Sequence, residues 1–401
     1  MKILFLSPRK CVPVRSGAKL RDFYFARALG EGAELTYAYF SPIGEPALTH
    51  AELPFCVRIV SVDKPAGYGA LQVARAAIGS TPLPVLNYAS DAMFGEVQRL
   101  TEGTRYDLIH VDSIHMYQYA HELRRTSGAH IVCNWHNIES EAMQRFAETV
   151  QSTGKRLYAR LTARKIQRLE LQMLENSLGH VVCSLREMDA LQTLVPGARI
   201  QVAENGVDTT YFDLHASATG ETVRLVFVGS MDYFPNADGA LAFVEHVWPA
   251  LMVRFPNATL QIVGANPGPD VRGLSRVSGV TVTGTVDDVR PYYRGATAAI
   301  VPLRTGGGTR LKILEAMASG VPVISTALGA EGLSVTSGTN ILLAAAGAHD
   351  QWIKHIETVV ERSAIREALV ANGRSLVVGK YDWNGIGQRL LATYRNWLTA
   401  A

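Results

Sequence analysis

A chain of 401 residues, 47% hydrophobic and 19% charged, is too apolar for a disordered segment and long enough for two or three domains, each with a real core. A formal net charge of +3 gives no nucleic-acid footprint. No apolar run approaches the roughly 20 residues of a membrane span, and the opening run from Met1 to Pro8 is too short for a signal peptide.

Short Val-, Ile- and Leu-rich runs separated by helix-length segments are the pattern of strands buried on both faces of a parallel sheet. The first half places such runs at 3–6, 35–39, 57–60, 108–111, 130–133, 180–183 and 200–202. The second half repeats them at 225–228, 260–263, 280–283, 298–301, 321–324 and 341–343. The expected fold is therefore α/β, with two Rossmann-like, doubly wound parallel-sheet domains. Between them, 208–222 has no apolar period and reads as the linker. This divides the chain into 1–207, 208–382 and a final helix within 383–401, where Ile386, Leu390, Leu391, Tyr394 and Trp397 fall at helical spacing. That helix can cap its own domain or cross back to the first.

Charge is unevenly shared: residues 1–200 carry 23 basic and 19 acidic side chains, residues 201–401 carry 16 and 17. The surplus lies wholly in the first half, so the two domains are expected to meet different partners. Cys11, Cys56, Cys133 and Cys183 stand far apart with no C-x-x-C, which suggests neither a zinc site nor a disulfide framework and makes a reducing cytoplasm the expected compartment.

Ligands of open parallel sheets collect at the carboxyl ends of the strands, so the residues just beyond each strand are the first candidates. In the second half these are Gly229 and Ser230, Gly264, Gly284 to Val286, and the run Gly306, Gly307, Gly308, Thr309, Arg310. This glycine-rich turn leads straight into a helix, with Thr309 as expected N-cap and Gly320 and Pro322 as its stop. Free N–H groups at a helix start suit a phosphate, and Arg310 and Lys312 add full charges. At about 100° per residue, Gly308, Lys312 and Glu315 share one side of that helix, where the Glu315 carboxylate suits sugar hydroxyls. The bland alternative is a chain-turning loop with solvated helix charges.

In the first half the equivalent positions are Arg9 to Gly17 and Trp135, His136, Asn137. His136 reads either as a donor to a substrate hydroxyl or to developing charge, or as an ordinary structural hydrogen-bonder. The basic start of the first helix, with Gly17, Lys19 and Arg21, suits an anion or is an ordinary turn. The segment 155–168 holds six cations and no acid, which suits an anionic membrane surface, a lipid diphosphate, or simply solvent. G-x-x-x-x-G-K-[ST], G-x-G-x-x-G after the first strand, G-x-S-x-G, H-E-x-x-H and D-x-D are all missing. Phosphate charge must then be met by backbone and cationic side chains.

The second half resembles the retaining glycosyltransferases of family 4 type, whose GT-B fold sets two Rossmann-like domains facing across a cleft. The resemblance rests on Glu204 to Asp208, Phe227 to Asp232, Ile262 to Gly264, Val282 to Val289 and Gly306 to Gly320, in the family's order. The run from Gly306 to Glu315, with Gly229 to Asn236 upstream, is similar to a bacterial branch associated with surface polysaccharide synthesis. The first half matches mainly through Ser16-Gly17 and His136-Asn137.

The resemblance implies a nucleoside diphosphate sugar as co-substrate, no cofactor and no metal. It implies ribose on Glu315, the base near the backbone of Val286, and the diphosphate near Gly229, Ser230, Arg310 and Lys312, with Gly307, Gly308 and Thr309 also at the donor. His136 would approach the donor sugar and act with Arg310 and Lys312 in catalysis. Gly17 would meet the phosphates or the acceptor, and Lys19, Arg21 and Asn137 the acceptor side. Two positions depart from the family: its E-x7-E signature asks for Glu where Gly307 stands, and its usual basic pair is replaced by Ser230 and Asn236. The expected activity is hexosyl transfer to a saccharide or lipid-linked acceptor in cell-surface glycan synthesis, by a cytoplasmic protein able to rest at the inner face of the membrane. The alternatives are a nucleotide-sugar epimerase of the same fold and a non-catalytic sugar-nucleotide binding protein.

Overall fold

The computed structural model describes residues 1–14, 16–213, 222–306 and 310–401, apart from the side chains of Ala70, Leu71, Ala77, Arg125 and Thr126. Arg15, residues 214–221 of the expected linker, and Gly307, Gly308 and Thr309 lie outside the described residues. The chain forms two compact units, one of residues 1–204 with 386–401 and one of residues 205–385.

The first unit is built on seven parallel strands, β1 (Lys2–Ser7), β2 (Glu34–Ser41), β3 (Arg58–Asp63), β4 (Leu108–Val111), β5 (His130–Asn134), β6 (Gly179–Val182) and β7 (Ile200–Val202). Their order is β3-β2-β1-β4-β5-β6-β7. The strands form because β-branched and aromatic side chains fill both faces: Ile3, Leu4, Phe5 and Leu6 are all fully buried, and the whole of β4 is buried. The chain reverses its direction of travel across the sheet between β1 and β4, and this switch point is where a doubly wound sheet opens a crevice. The residues just beyond β1 and β4 are therefore set to meet a ligand: Arg9 after the first strand, Asp112 after the second.

The second unit repeats the plan with β8 (Arg224–Val228), β9 (Thr259–Val263), β10 (Val280–Gly284), β11 (Ala298–Val301), β12 (Val323–Ser325) and β13 (Leu342–Leu343), ordered β10-β9-β8-β11-β12-β13. Its switch point falls between β8 and β11, and so delivers Gly229 after one strand and the segment from Pro302 after the other. Trp248, Trp352, Ile313 and Leu314 pack its core. Val207 and Asp382 bridge in parallel, and Asp382 accepts from the backbone N–H groups of Asn384 and Gly385 at the start of the final helix, Trp383–Thr399. From Ile386 onward this helix belongs to the first unit, where Ile386, Leu390 and Tyr394 are buried. No helix among the described residues is long and apolar enough to cross a membrane.

The carboxyl edge of the second sheet is compressed at Gly264, whose φ of +155° and backbone leave no room for a side chain. A Cβ there would fall 1.8 Å from the carbonyl oxygen of Gly229. Gly264→Ala is expected to destabilise the second unit by at least about 3 kcal/mol. Gly95→Ala, at an exposed helical position with open space around it, is expected to stabilise by about 0.5–1 kcal/mol. Thermal unfolding of the two variants checks the pair.

Candidate functional site

In the first unit, β4 leads into Asp112, β5 ends in Asn134, and the helix Gly17–Gly32 carries Asp22 on its second turn. Ser16 caps that helix by accepting from the N–H of Lys19. These elements bring two fully buried carboxylates to one imidazole: His136 Nε2 lies 3.3 Å from Asp112 Oδ2 and 3.4 Å from Asp22 Oδ1. Asn134 Nδ2 donates to Asp112 Oδ1 at 2.7 Å, and Arg9 Nε sits 3.4 Å from Asp22 Oδ2. On the far side, His110 Nε2 stands 3.6 Å from Asp112 Oδ1, while its Nδ1 meets the hydroxyl of Tyr394 at 2.7 Å.

Charge in this dry setting decides protonation. Burial alone would lower the His136 imidazole, but the charge and hydrogen bonds of Asp112 and Asp22 outweigh it and raise it to about 9. Burial raises the Asp22 carboxyl, and the charge of Asp112 raises it further. Against the same burial, the charge of His136, its hydrogen bond and the nearby His110 imidazole hold Asp112 well below the usual carboxylate range. One carboxylate thus stays charged against one imidazolium, and the Nε2 edge of that ring is committed inward. Donor atoms of Asp22, Asp112 and His136 all lie within 4.8 Å of one another, a spacing that suits a cation or an ion pair. Arg9 and His136 already provide the opposing charge.

Among the other first-unit candidates, Arg21 is placed differently from expectation. Arg21 is fully buried: its Nε donates to Asn134 Oδ1 at 3.0 Å, its Nη1 to Ala203 O at 2.7 Å, and its guanidinium stacks on Phe25. It is a structural arginine that braces Asn134, and the acceptor-side expectation fails because a side chain out of reach of solvent cannot meet an acceptor. Gly17 and Lys19 occupy the first turn of their helix, half-buried, and Asn137 is exposed beside His136. Sequence reasoning missed Asp22 and Asp112, whereas Arg9 opens the run expected after the first strand. Asp112 comes just after a buried strand and obeyed the same rule that singled out His136, whereas Asp22 looked like an ordinary helix acid.

In the second unit the site gathers at the β8–β11 switch point. The helix Leu311–Ala318 projects Lys312 so that its Nζ donates to Asn236 Oδ1 and lies 4.7 Å from the Phe227 ring centroid. A Cβ on Gly229 would meet Asn236 Nδ2 at 2.7 Å and Lys312 Nζ at 2.8 Å, so a side chain here would have to displace the amide and the amine. One turn on, Glu315 Oε2 accepts from the Tyr293 hydroxyl at 3.2 Å, and its charge acts on Lys312. Burial lowers the Lys312 amine to about 7, Arg310 adds to that and Glu315 opposes it; burial raises the Glu315 carboxyl.

Gly229, Lys312 and Glu315 are thus brought together, with Asn236 filling the place where the resemblance expected a second cation. Arg310 turns aside: its Nη2 pairs with Glu331 Oε2 at 3.3 Å. It also takes the N-cap position of the helix that was expected for Thr309, because the helix starts at Leu311. Ser230 donates to Asp232 Oδ1 at 2.6 Å, and Val286, half-buried, packs on the core just after β10.

A family model described as "Glycosyltransferase Family 4" matches residues 52–211, and one described as "Glycosyl transferases group 1" matches residues 222–362, together about three quarters of the chain. The chain belongs to the family 4-type glycosyltransferases, with the GT-B fold. It is 27% identical over 205 residues to a phosphatidyl-myo-inositol mannosyltransferase of Mycobacterium tuberculosis, covering 47% of this chain and 52% of that protein. It is 25% identical over 181 residues to an uncharacterized 44.6 kDa protein in the cps region of Klebsiella pneumoniae, covering 43% and 44%. The chain thus spans about half the length of the curated relatives it matches. Among solved structures, the Anabaena protein HepE in complex with UDP and glucose is similar in fold, with a TM-score of 0.67 and 16% identity over 99% of this chain and 100% of that one.

Two measurements check these charges. The imidazole of His136, followed by NMR, is expected to titrate at about 9, and Asp22→Asn to bring that midpoint down toward the ordinary value of about 6.5. Lys312 is charged below about 7, so the affinity for UDP or GDP, read by calorimetry, is expected to fall as pH rises from about 6.5 to 8.5. Lys312→Gln should weaken binding at the lower pH by about 1.5–3 kcal/mol and flatten that dependence.

Proposed function

We propose that the chain is a retaining, metal-independent glycosyltransferase. It moves a hexosyl group from a nucleoside diphosphate sugar to a saccharide or lipid-linked acceptor in cell-surface glycan synthesis, in the cytoplasm at the inner face of the cell membrane. The observation that carries this reading is the meeting of Gly229, Lys312 and Glu315 at the switch point of the second unit. A glycine that lets a phosphate approach the backbone, an amine held near neutrality of charge until an anion arrives, and a carboxylate one turn away match diphosphate followed by ribose. No cofactor is required by this chemistry. The mannosyltransferase relative, named for a phosphatidyl-myo-inositol acceptor, and the UDP-bound state of HepE support donor and acceptor classes of this kind.

In the reaction the bond between the anomeric carbon and the diphosphate oxygen breaks while a bond to the acceptor oxygen forms on the same face. The acceptor proton passes to the departing phosphate. Lys312 and the backbone around Gly229 stabilise the leaving charge, and His136, as an imidazolium, stabilises negative charge near the sugar.

A second reading, epimerisation of a nucleotide sugar, gains from the Asp22–Asp112 pair, since it needs acid–base groups in the first unit. Both carboxylates are fully buried with the Nε2 edge of His136 facing them, however, which suits orienting a histidine more than touching a substrate. Incubation with UDP-, GDP- and ADP-sugars, with and without saccharide and lipid-linked acceptors, separates the readings. Free nucleoside diphosphate with an α-linked product from an α-linked donor is expected; an altered nucleotide sugar would favour the epimerase, and tight binding without turnover a binding protein. Glu315→Ala is expected to weaken donor binding about tenfold or more, and unaltered affinity would remove Glu315 from the donor site.

A further inference from the structure

The helix Thr153–Asn176 is about 36 Å long, far longer than the strands it covers, because it runs 24 residues at 1.5 Å each. Its inward face is well defined: Ala159, Thr162, Ala163, Ile166 and Glu170 are buried. At 100° per residue the opposite face of its first half is made of Leu157, Arg160, Leu161, Arg164 and Arg168, with Tyr158 at its border. All six are exposed, Leu157 at 60%.

A second element joins this face. The helix Ala70–Ile78 is held to the long helix by Lys165, whose Nζ donates to the carbonyl oxygens of Ala76 and Gly79 at the short helix's carboxyl end. It leaves Ile78 exposed at 91% and Val73 at 47%, and Tyr68, just before it, is exposed as well. Six of the large exposed hydrophobic residues of the first unit thus sit on these two neighbouring segments. A soluble surface has no use for Ile, Val and Leu gathered in this way.

The charges decide what covers them. Residues 64–90 and 153–169 contain no Asp or Glu. Several surface arginines elsewhere are paired with carboxylates, as Arg27 is with Glu31, Arg99 with Glu96, Arg254 with Glu357 and Arg304 with Asp238. On the long helix, Lys155, Arg160, Arg164 and Arg168 have no carboxylate partner among the described residues. Unpaired cations interleaved with exposed aliphatic and tyrosine side chains fit a surface that is anionic at its face and hydrocarbon beneath.

Topology sets where that surface lies. The Ala70–Ile78 helix comes after the carboxyl end of β3; the helix Glu139–Thr149 leaves the carboxyl end of β5, and the long helix returns past it, with Glu170 accepting from the N–H of Ser140, to the amino end of β6. Its cationic first half is therefore on the same side of the sheet as His136.

We propose that this face, formed by Tyr68, Val73 and Ile78 with Leu157, Leu161 and the cations Arg160 and Arg164, docks the first unit onto an anionic phospholipid bilayer. The short helix dips its aliphatic side chains among the acyl chains, and the arginines lie at the phosphates. The inference rests on the transferase reading for its purpose, since it brings His136 to the level of a lipid-linked acceptor, but the surface is tested without that reading.

Co-sedimentation of the full chain with vesicles of phosphatidylcholine, alone or mixed with phosphatidylglycerol, makes the test, with no donor or acceptor present. Binding to the mixed vesicles is expected, with loss at high salt as the charges are screened. Arg160→Gln with Arg164→Gln is expected to lower the partition about tenfold or more, since each cation near an anionic surface contributes about fivefold. Ile78→Ser with Val73→Ser is expected to lower it as well while leaving the salt dependence in place; Arg99→Gln, away from the face, should leave both unchanged. Equal binding to the two vesicle types, unchanged binding by the double variants, or retention on heparin without vesicle binding would overturn the proposal. Nucleotide release from a soluble donor is read separately, so lost docking with intact turnover overturns only the surface, and docking without turnover only the transferase.

Discussion

Two carboxylates held out of water beside a single imidazole form the contact on which the first unit turns. Neither Asp22 nor Asp112 can stay charged alone at full burial. Together with Arg9 and Asn134 they solve one another's desolvation: the imidazole becomes a cation, one carboxylate its counter-ion, and the second shares the burden. The sheet order supplies the place. Only at the switch between β1 and β4 do the loops diverge enough for groups from β1, β4, β5 and the first helix to converge.

The second unit handles charge by the opposite device. Lys312 is kept among Asn236, the Phe227 ring and the glycine backbone, where burial weakens its hold on a proton. An anion arriving at Gly229 would restore that hold, so binding and protonation reinforce each other. Glu315, one helical turn away and tied to Tyr293, keeps the amine from losing its proton outright. Missing basic residues after β8 are therefore no deficit: a cation placed there would crowd the amine that the glycine has admitted.

The strands were legible because the central strands of a parallel sheet bury both faces and read as apolar runs, while edge strands such as β3 and β10 still keep every second residue apolar; every run singled out in the sequence lies within a residue or two of a strand. The Gly229, Lys312 and Glu315 group was legible because a helix repeats its face at fixed spacing and β8 ends at a glycine. Asp22 was not, since nothing in a helix sequence says which of its acids faces inward, and Arg21 beside it misled for the same reason. Arg21 is held by Asn134 and Ala203 and Asp22 faces His136, all more than a hundred residues away, and only tertiary structure joins them. The start of the Leu311–Ala318 helix was misplaced by one residue, a boundary that local capping preferences leave loosely determined.

Tyr394 gives the final helix a meaning beyond packing. Its hydroxyl holds His110, which stacks on Phe5 and lies against Asp112, so the imidazole on which the first unit's charge depends is supported, through Asp112, by a residue 284 positions beyond His110. A nascent chain that has made all of β1 to β7, and with them Asp22, Asp112 and His136, still lacks this brace. The sheet of the first unit is thus synthesised before the second unit and its brace only after it. Any chain that stops before residue 394 would carry both sheets and an untuned histidine.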